Sequence, residues 1–238
     1  MNALVTGGTK GIGLAVTKML LQEGYAVTVT YGHDSAAAEK AKKELASQGM
    51  SIDIIQAAQD DKAQMRALAA HMRKKGHVDC IVCNAGITDR SKLADITDEA
   101  WERVMQVNVN SHMALIRDLY DVIAPNARIV FMGSIMGVLP HSVSLAYGVS
   151  KAAVIAMAKN MVKEFAGTGT TVNVIAPGFV DTEWQKTKPE TIRRSICDKT
   201  AAGRFASPYE IAEAVRFCVK NAFVNGSVIE ITGGYCFK

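Results

Sequence analysis

The chain has no apolar run long enough to cross a bilayer. Stretches such as Ala152 to Ala158 fall far short of the roughly 20 residues a span needs, so no membrane partner is expected. The tripartite build of a secretion signal is also missing, because Met1 to Thr6 leads straight into a glycine loop. Cysteine is scarce and odd in number: Cys80, Cys83, Cys197, Cys218 and Cys236 follow no disulfide framework, which suits a reducing, cytoplasmic compartment. Cys80 and Cys83 form C-x-x-C, but they lie in Val-Asp-Cys-Ile-Val-Cys, which reads as a strand. Residues three apart on a strand face opposite ways, so buried structural thiols are expected. A dense basic run is absent too. The net charge of +4 comes from Lys and Arg spread along the chain, and nothing in it demands nucleic acid.

What is present is the composition of a folded enzyme, with 49% hydrophobic and 21% charged residues. Short β-branched or apolar runs alternate with longer amphipathic segments, the pattern of repeated βαβ units. The expected strands are Ala3 to Thr6, Ala26 to Tyr31, Ile52 to Ala57, Val78 to Cys83, Arg128 to Met132, Thr171 to Ile175 and Val228 to Ile231. Helix signals lie between them: Gly24 after the first, Asp34 or Ser35 opening the second, Gly49 closing it, and Thr97 starting a later one. Ser207-Pro208-Tyr209-Glu210 combines a capping Ser, a Pro at the first helical position and a Glu that can bond back to the cap. No linker, repeat or low-complexity tract interrupts the pattern. Residues 1–238 therefore read as one doubly wound α/β Rossmann domain, a seven-stranded parallel sheet with helices on both faces. Residues 178–206 resist it. They are polar, weakly periodic and without a core stripe, and are expected to form a mobile substrate flap.

Thr6-Gly7-Gly8-Thr9-Lys10-Gly11-Ile12-Gly13 falls between the first strand and the first helix, where a dinucleotide site belongs. Gly7 can make the tight turn, Gly11 lets backbone approach a pyrophosphate, and Gly13 permits close helix packing. The helix N-terminus offers N–H groups to the anion. The spacing is G-x-x-x-G-x-G. With Asn84-Ala85-Gly86 after the fourth strand and Tyr147-Gly148-Val149-Ser150-Lys151 later, it resembles the short-chain dehydrogenase/reductase family over essentially the whole chain.

The resemblance implies an NAD(P)-binding enzyme. Its implied cofactor contacts are Gly7, Thr9, Lys10, Gly11, Ile12, Gly13, Asn84, Ala85, Gly86, Pro177, Gly178, Val180 and Thr182, joined by Tyr147 and Lys151. Members that use NAD usually carry a carboxylate at the end of the second strand. Here that strand ends Thr30-Tyr31-Gly32, with Asp34 arriving late, and Lys10 stands where NADP-preferring members often place a base. NADP(H) is therefore the expected cofactor, with His33 a further candidate contact. After the third strand, Ala57-Ala58-Gln59 replaces the family's acidic residue and no adenine contact is assigned. Asp60 or Asp61 instead suits a helix cap, and Cys83 replaces the first Asn of Asn-Asn-Ala-Gly.

Tyr147 and Lys151 are four apart on a predicted helix and share a face. An ammonium beside a phenol favours the phenolate, so Tyr147 is expected to titrate below its ordinary value and to exchange a proton with a carbonyl or alcohol oxygen. Ser134 ends the fifth strand, where parallel sheets gather ligands, and its hydroxyl can hold the substrate oxygen. In the resembled family an Asn matching Asn108 supports a water that relays protons toward the Lys, with Asn110 the alternative. The expected catalytic group is thus Asn108, Ser134, Tyr147 and Lys151.

Within the family the chain is most similar to 3-oxoacyl-acyl-carrier-protein reductases, through Asn84 to Thr88, Val172 to Val180 with Thr182, Ala201 to Arg204, and Gly233-Gly234. That implies an acyl thioester substrate on a carrier protein or CoA, and a homotetramer. The places where basic residues commonly meet an acidic carrier read Ala124-Pro125-Asn126-Ala127 and Gly167-Thr168-Gly169. The flap instead offers Lys186, Lys188, Arg193, Arg194 and Lys199. Other carbonyl or alcohol substrates, such as polyketides, sugars and steroids, and a non-catalytic NADP sensor, are the alternatives. The intact Tyr147–Lys151 pair speaks against the last.

Overall fold

The computed structural model describes residues 1–140 and 144–235, so Cys236 lies outside the described residues. Seven strands run through it: β1 Asn2–Val5, β2 Ala26–Tyr31, β3 Asp53–Gln56, β4 Val78–Cys83, β5 Ile123–Met132, β6 Thr171–Pro177 and β7 Val228–Ile231. They form one sheet in the order β3-β2-β1-β4-β5-β6-β7, with every neighbouring pair parallel. Between them run helices α1 Gly11–Gln22, α2 Ser35–Ser47, α3 Lys62–Lys74, α4 Asp98–Met105, α5 Ser111–Leu119, α6 Leu145–Met161, α7 Glu183–Lys186, α8 Glu190–Asp198 and α9 Pro208–Lys220.

A parallel sheet covered on both faces needs apolar residues in both directions along each strand. Cys80 and Val82 face the layer built with Val16, Met19 and Leu20 of α1 and Ile211 and Val215 of α9. Ile81 and Cys83 face the opposite layer, with Leu68 and Met72 of α3, Leu115 and Leu119 of α5, and Val154 of α6. The two thiols thus sit on opposite faces as their spacing requires. Burial pushes the Cys80 thiol up to about 12 and the Cys83 thiol higher still, so both stay protonated packing groups.

The helix starts follow their capping chemistry. Asp34 accepts from Ala37 N (3.0 Å), Asp61 from Ala63 N and Gln64 N (2.9 and 3.0 Å), and Thr97 from Ala100 N (3.2 Å). At α9, Glu210 N donates to the Ser207 hydroxyl while Ser207 N donates to the Glu210 carboxylate (3.3 and 2.8 Å), closing a reciprocal box. β5 begins earlier than Arg128. Its ladder with β4 opens at Val78↔Ile123, slips, and resumes at Cys80↔Arg128; the lead-in holds Asn126 at φ 62, a left-handed conformation that Asn tolerates.

Two departures concern function. A π-helical turn over Gln106–Asn110 joins α4 to α5, a widening that amphipathic periodicity does not signal. The flap has more structure than expected. It carries α7 and α8, and Phe179, Ile196 and Phe205 form a small core of their own, with Arg193 stacked 4.5 Å from the Phe205 ring and paired to Asp181 (3.2 Å). Its apolar residues lie 17 and 9 positions apart, a separation that no helical or strand period reports. Between β1 and β4 the strand order reverses, which opens a crevice at the carboxyl ends of the strands.

Candidate functional site

That crevice is a cleft of ≈ 420 Å³. One wall is the glycine loop. Gly7 and Gly11 have φ of 63° and 54°, and a Cβ on Gly13 would lie 2.1 Å from the Gly7 carbonyl oxygen, so no side chain fits there. The loop is tied to the segment after β4. Thr6 Oγ1 accepts from Asn84 N and Ala85 N (2.9 and 3.0 Å), and Asn84 Nδ2 donates to the carbonyls of Thr6 and Gly7 (3.0 and 3.1 Å).

α1 opens without a side-chain cap and without an acidic residue in its first turn. The N–H groups of Gly11, Ile12 and Gly13 precede the first intrahelical bond, from Leu14 N to Lys10 O, and all three residues line the cleft. Unpaired donors at the positive end of a helix dipole suit an anion, so this wall fits the pyrophosphate of a dinucleotide.

The other wall carries the candidate chemistry. Ser134, Tyr147 and Lys151 all border the cleft. Lys151 is buried on α6, its Nζ 5.5 Å from the Tyr147 ring centroid and donating to the Met132 carbonyl at 2.8 Å. The electrostatics differ from the expected phenolate. Part of the Tyr147 ring faces the cleft, but its surroundings are dense; burial pushes the phenol up to about 12, and the Ser134 hydroxyl offsets only part of this. Burial likewise draws the Lys151 ammonium down to about 8. Desolvation sets the direction for both groups, because each is held largely out of water by the packing around α6.

Asn108 stands behind this wall rather than in it. Its Oδ1 accepts from Ile87 N (2.8 Å), and its Nδ2 donates to the Ile87 carbonyl and the Ser150 hydroxyl (2.9 Å each). Ser150 in turn donates to the Tyr147 carbonyl (2.7 Å). Both amide hydrogens of Asn108 are thereby engaged in joining the loop after β4 to α6. Asn110, the alternative, is exposed.

Of the residues expected at the site, all but Thr9 and Asn108 line the cleft; Thr9 is buried within the glycine loop. Pro177 ends β6, Gly178 follows it, and Val180 and Thr182 lie on the flap; a Cβ on Gly11 would meet the Thr182 methyl at 3.3 Å. Lys10 is in place but not free, because it pairs with Asp34 at 2.8 Å. Asp61 is the α3 cap, while Asp60 pairs with Arg103 at 3.1 Å. Sequence reasoning missed Thr6, Ser150 and Trp184. Thr6 and Ser150 act through contacts 78 and 42 residues distant in sequence. Trp184 meets the Tyr147 ring edge-on at 6.4 Å.

A family model described as short chain dehydrogenase matches the sequence over residues 1–193. The chain belongs to the short-chain dehydrogenase/reductase family. It is an oxidoreductase. It is similar to the 3-oxoacyl-[acyl-carrier-protein] reductase FabG of Vibrio cholerae, 32% identical, with 98% of this chain and 96% of the relative covered. Among solved structures, a short-chain dehydrogenase/reductase from Serratia marcescens superposes with a TM-score of 0.92 at 28% identity, covering 99% and 97% of the two chains. A short chain dehydrogenase from Burkholderia cenocepacia in complex with NADP gives 0.90 at 28% identity, covering 98% and 96%. No described helix is long and apolar enough to cross a membrane.

Proposed function

We propose that this oxidoreductase uses NADPH to reduce the ketone of a 3-oxoacyl thioester to the secondary alcohol. The observation that carries the reading is the meeting, in one cleft, of the Tyr147–Lys151–Ser134 group with the uncapped N-terminus of α1. The thioester draws support from the activity named for the Vibrio cholerae relative. The choice of NADP draws support from the Burkholderia cenocepacia neighbour and from Lys10 on the cleft wall. On the same footing, the protein is read as one cytoplasmic Rossmann domain that assembles as a homotetramer.

When bound, the dinucleotide supplies the hydride. The chain's own residues then manage the oxygen. Ser134 holds the carbonyl oxygen, and Tyr147 donates the proton as negative charge develops on it. A phenol pushed up to about 12 remains fully protonated at neutral pH, which suits a donor in the reductive direction. Lys151, drawn down to about 8, can give up a proton near neutral pH and so replenish the phenol. Asn108 positions this group through Ser150 and the Tyr147 carbonyl.

Tyr147→Phe tests the reading. The ring and its contact with Trp184 remain while the proton does not, so kcat for NADPH-dependent reduction of acetoacetyl-CoA should fall at least about a hundredfold, with NADPH affinity retained. Near-normal turnover would remove Tyr147 as the donor. A panel of acyl thioesters and secondary alcohols, run with NADPH and NADH in parallel, decides the substrate class.

A further inference from the structure

Most charges around the cleft are matched. Lys10 pairs with Asp34, Arg103 with Asp60, and Glu183 with Lys186. Arg90 and Lys188 also line the cleft, yet among the described residues neither has an acidic side chain within ion-pair distance. They come from different segments. Arg90 follows Thr88 and Asp89, which are fixed to the start of α6: Thr88 Oγ1 lies 3.1 Å from Ser144 Oγ, and the Ser144 hydroxyl donates to the Asp89 carbonyl. Lys188 lies four residues beyond Trp184, just past the end of α7, where its N–H bonds the Gln185 carbonyl (3.1 Å). Arg90 thus comes from a loop fastened to the start of the helix that carries Tyr147, and Lys188 from the segment that follows Trp184, which meets the Tyr147 ring.

The two cations also act on each other. Burial, and then the positive charge of Arg90, hold the Lys188 ammonium below its ordinary value. Two cations facing one cleft without an acid between them repel, and an oxyanion placed there would relieve the repulsion and accept charge-assisted hydrogen bonds from both. Two other flap cations contrast with this: Lys186 and Arg193 are engaged by Glu183 and Asp181.

We propose that Arg90 and Lys188 form an oxyanion subsite that grips a phosphate or carboxylate carried by the substrate, on the side of the reacting carbonyl away from the glycine loop. The inference rests on the thioester reading for its preferred occupant, the phosphate of a phosphopantetheine arm. A free oxo acid would present the same chemistry through its carboxylate.

The test uses matched pairs of ketones that differ only in this charge. Acetoacetyl-4′-phosphopantetheine is compared with acetoacetyl-pantetheine, and acetoacetate with its methyl ester, on the wild type, Arg90→Gln, Lys188→Gln and the double variant. For the pair that carries the natural anion, the double variant should raise KM of the charged member roughly three- to thirtyfold more than that of the neutral one, with little change in kcat. Added salt should raise KM of the charged member in the wild type and do so less in the double variant. Calorimetry of 4′-phosphopantetheine, pantetheine and acetoacetate on NADP-loaded protein reads the subsite without turnover. Discrimination in the phosphate pair identifies the arm, and in the carboxylate pair the oxo acid. Equal effects on charged and neutral members of both pairs, with no binding difference by calorimetry, would overturn the subsite. Failure of the wild type to reduce any thioester would overturn the thioester reading alone.

Discussion

At the scale of single residues, the site depends on how each charge is engaged before any ligand arrives. Lys10 points at the cleft but is held by Asp34, whose carboxyl the ammonium keeps below its usual range. A 2′-phosphate must share Lys10 with that carboxylate or displace it. Asn caps a helix as well as Asp does, so Asp34→Asn should leave α2 intact while releasing Lys10. An exposed pair of this kind is worth about 0.2–1 kcal/mol, so NADPH should bind up to roughly fivefold more tightly to the variant, and NADH should gain less. Fluorescence titration of the unliganded protein measures both constants. Equal changes for the two nucleotides would mean that Lys10 does not read the phosphate. Tyr147 and Lys151 were legible from their spacing because a helix puts residues four apart on one face. Their proton affinities were not, because burial depends on what α6 packs against. The Asn108–Ser150–Tyr147 chain was equally hidden: which amide hydrogen meets which hydroxyl is set by tertiary contact and by a π turn without periodic signature.

At the scale of elements, the strands were readable because burial on both faces gives short, nearly continuous apolar runs, and caps mark where helices begin. The flap was read less well, and its structure divides it into two parts. Phe179, Ile196 and Phe205 anchor one part, with Arg193 bridging Phe205 and Asp181. The four-residue α7 has no buried side chain, and Trp184 is 47% exposed over the cleft. Local opening follows the lack of buried apolar contacts. Amide exchange in 183–190 should therefore slow on adding NADP and a substrate analogue, while that around Ile196 and Phe205 should be protected from the start. Uniform exchange across 178–206, or no ligand effect in 183–190, would reject this division. The same division bears on the oxyanion subsite. Lys188 rides on the weakly held part and Arg90 on a loop fastened to α6, so an anion bridging them would draw α7 toward Tyr147.

At the scale of the whole molecule, one buried group links stability to pH. His112 on α5 is 1% exposed and tilted against Phe131 with ring centroids 6.3 Å apart. Burial, reinforced by the charge of Lys151 and offset only in part by the Asn108 backbone carbonyl, draws it from 6.5 to about 3. The folded state thus keeps the imidazole neutral where the unfolded chain would protonate it. Between pH 6.5 and about 3 the unfolded state binds more protons, so stability must fall as the pH is lowered through that window, by about 1.4 kcal/mol per unit for one full proton. Carboxylates whose folded values are lowered, such as Asp34 and Asp53, add to the loss only further down, as the pH approaches their own range. The interval from pH 6.5 to 5 therefore isolates the histidine. His112→Leu removes the titration and keeps an apolar side chain in an apolar place. Urea unfolding at pH 5 and at pH 7.5 should show the wild type losing about 2 kcal/mol more than the variant between the two conditions. The comparison rests on the difference between pH values and not on either stability alone, so any packing defect of leucine cancels. If wild type and variant lose stability in parallel over that interval, His112 is not held neutral in the fold, and the acid sensitivity of the molecule lies elsewhere.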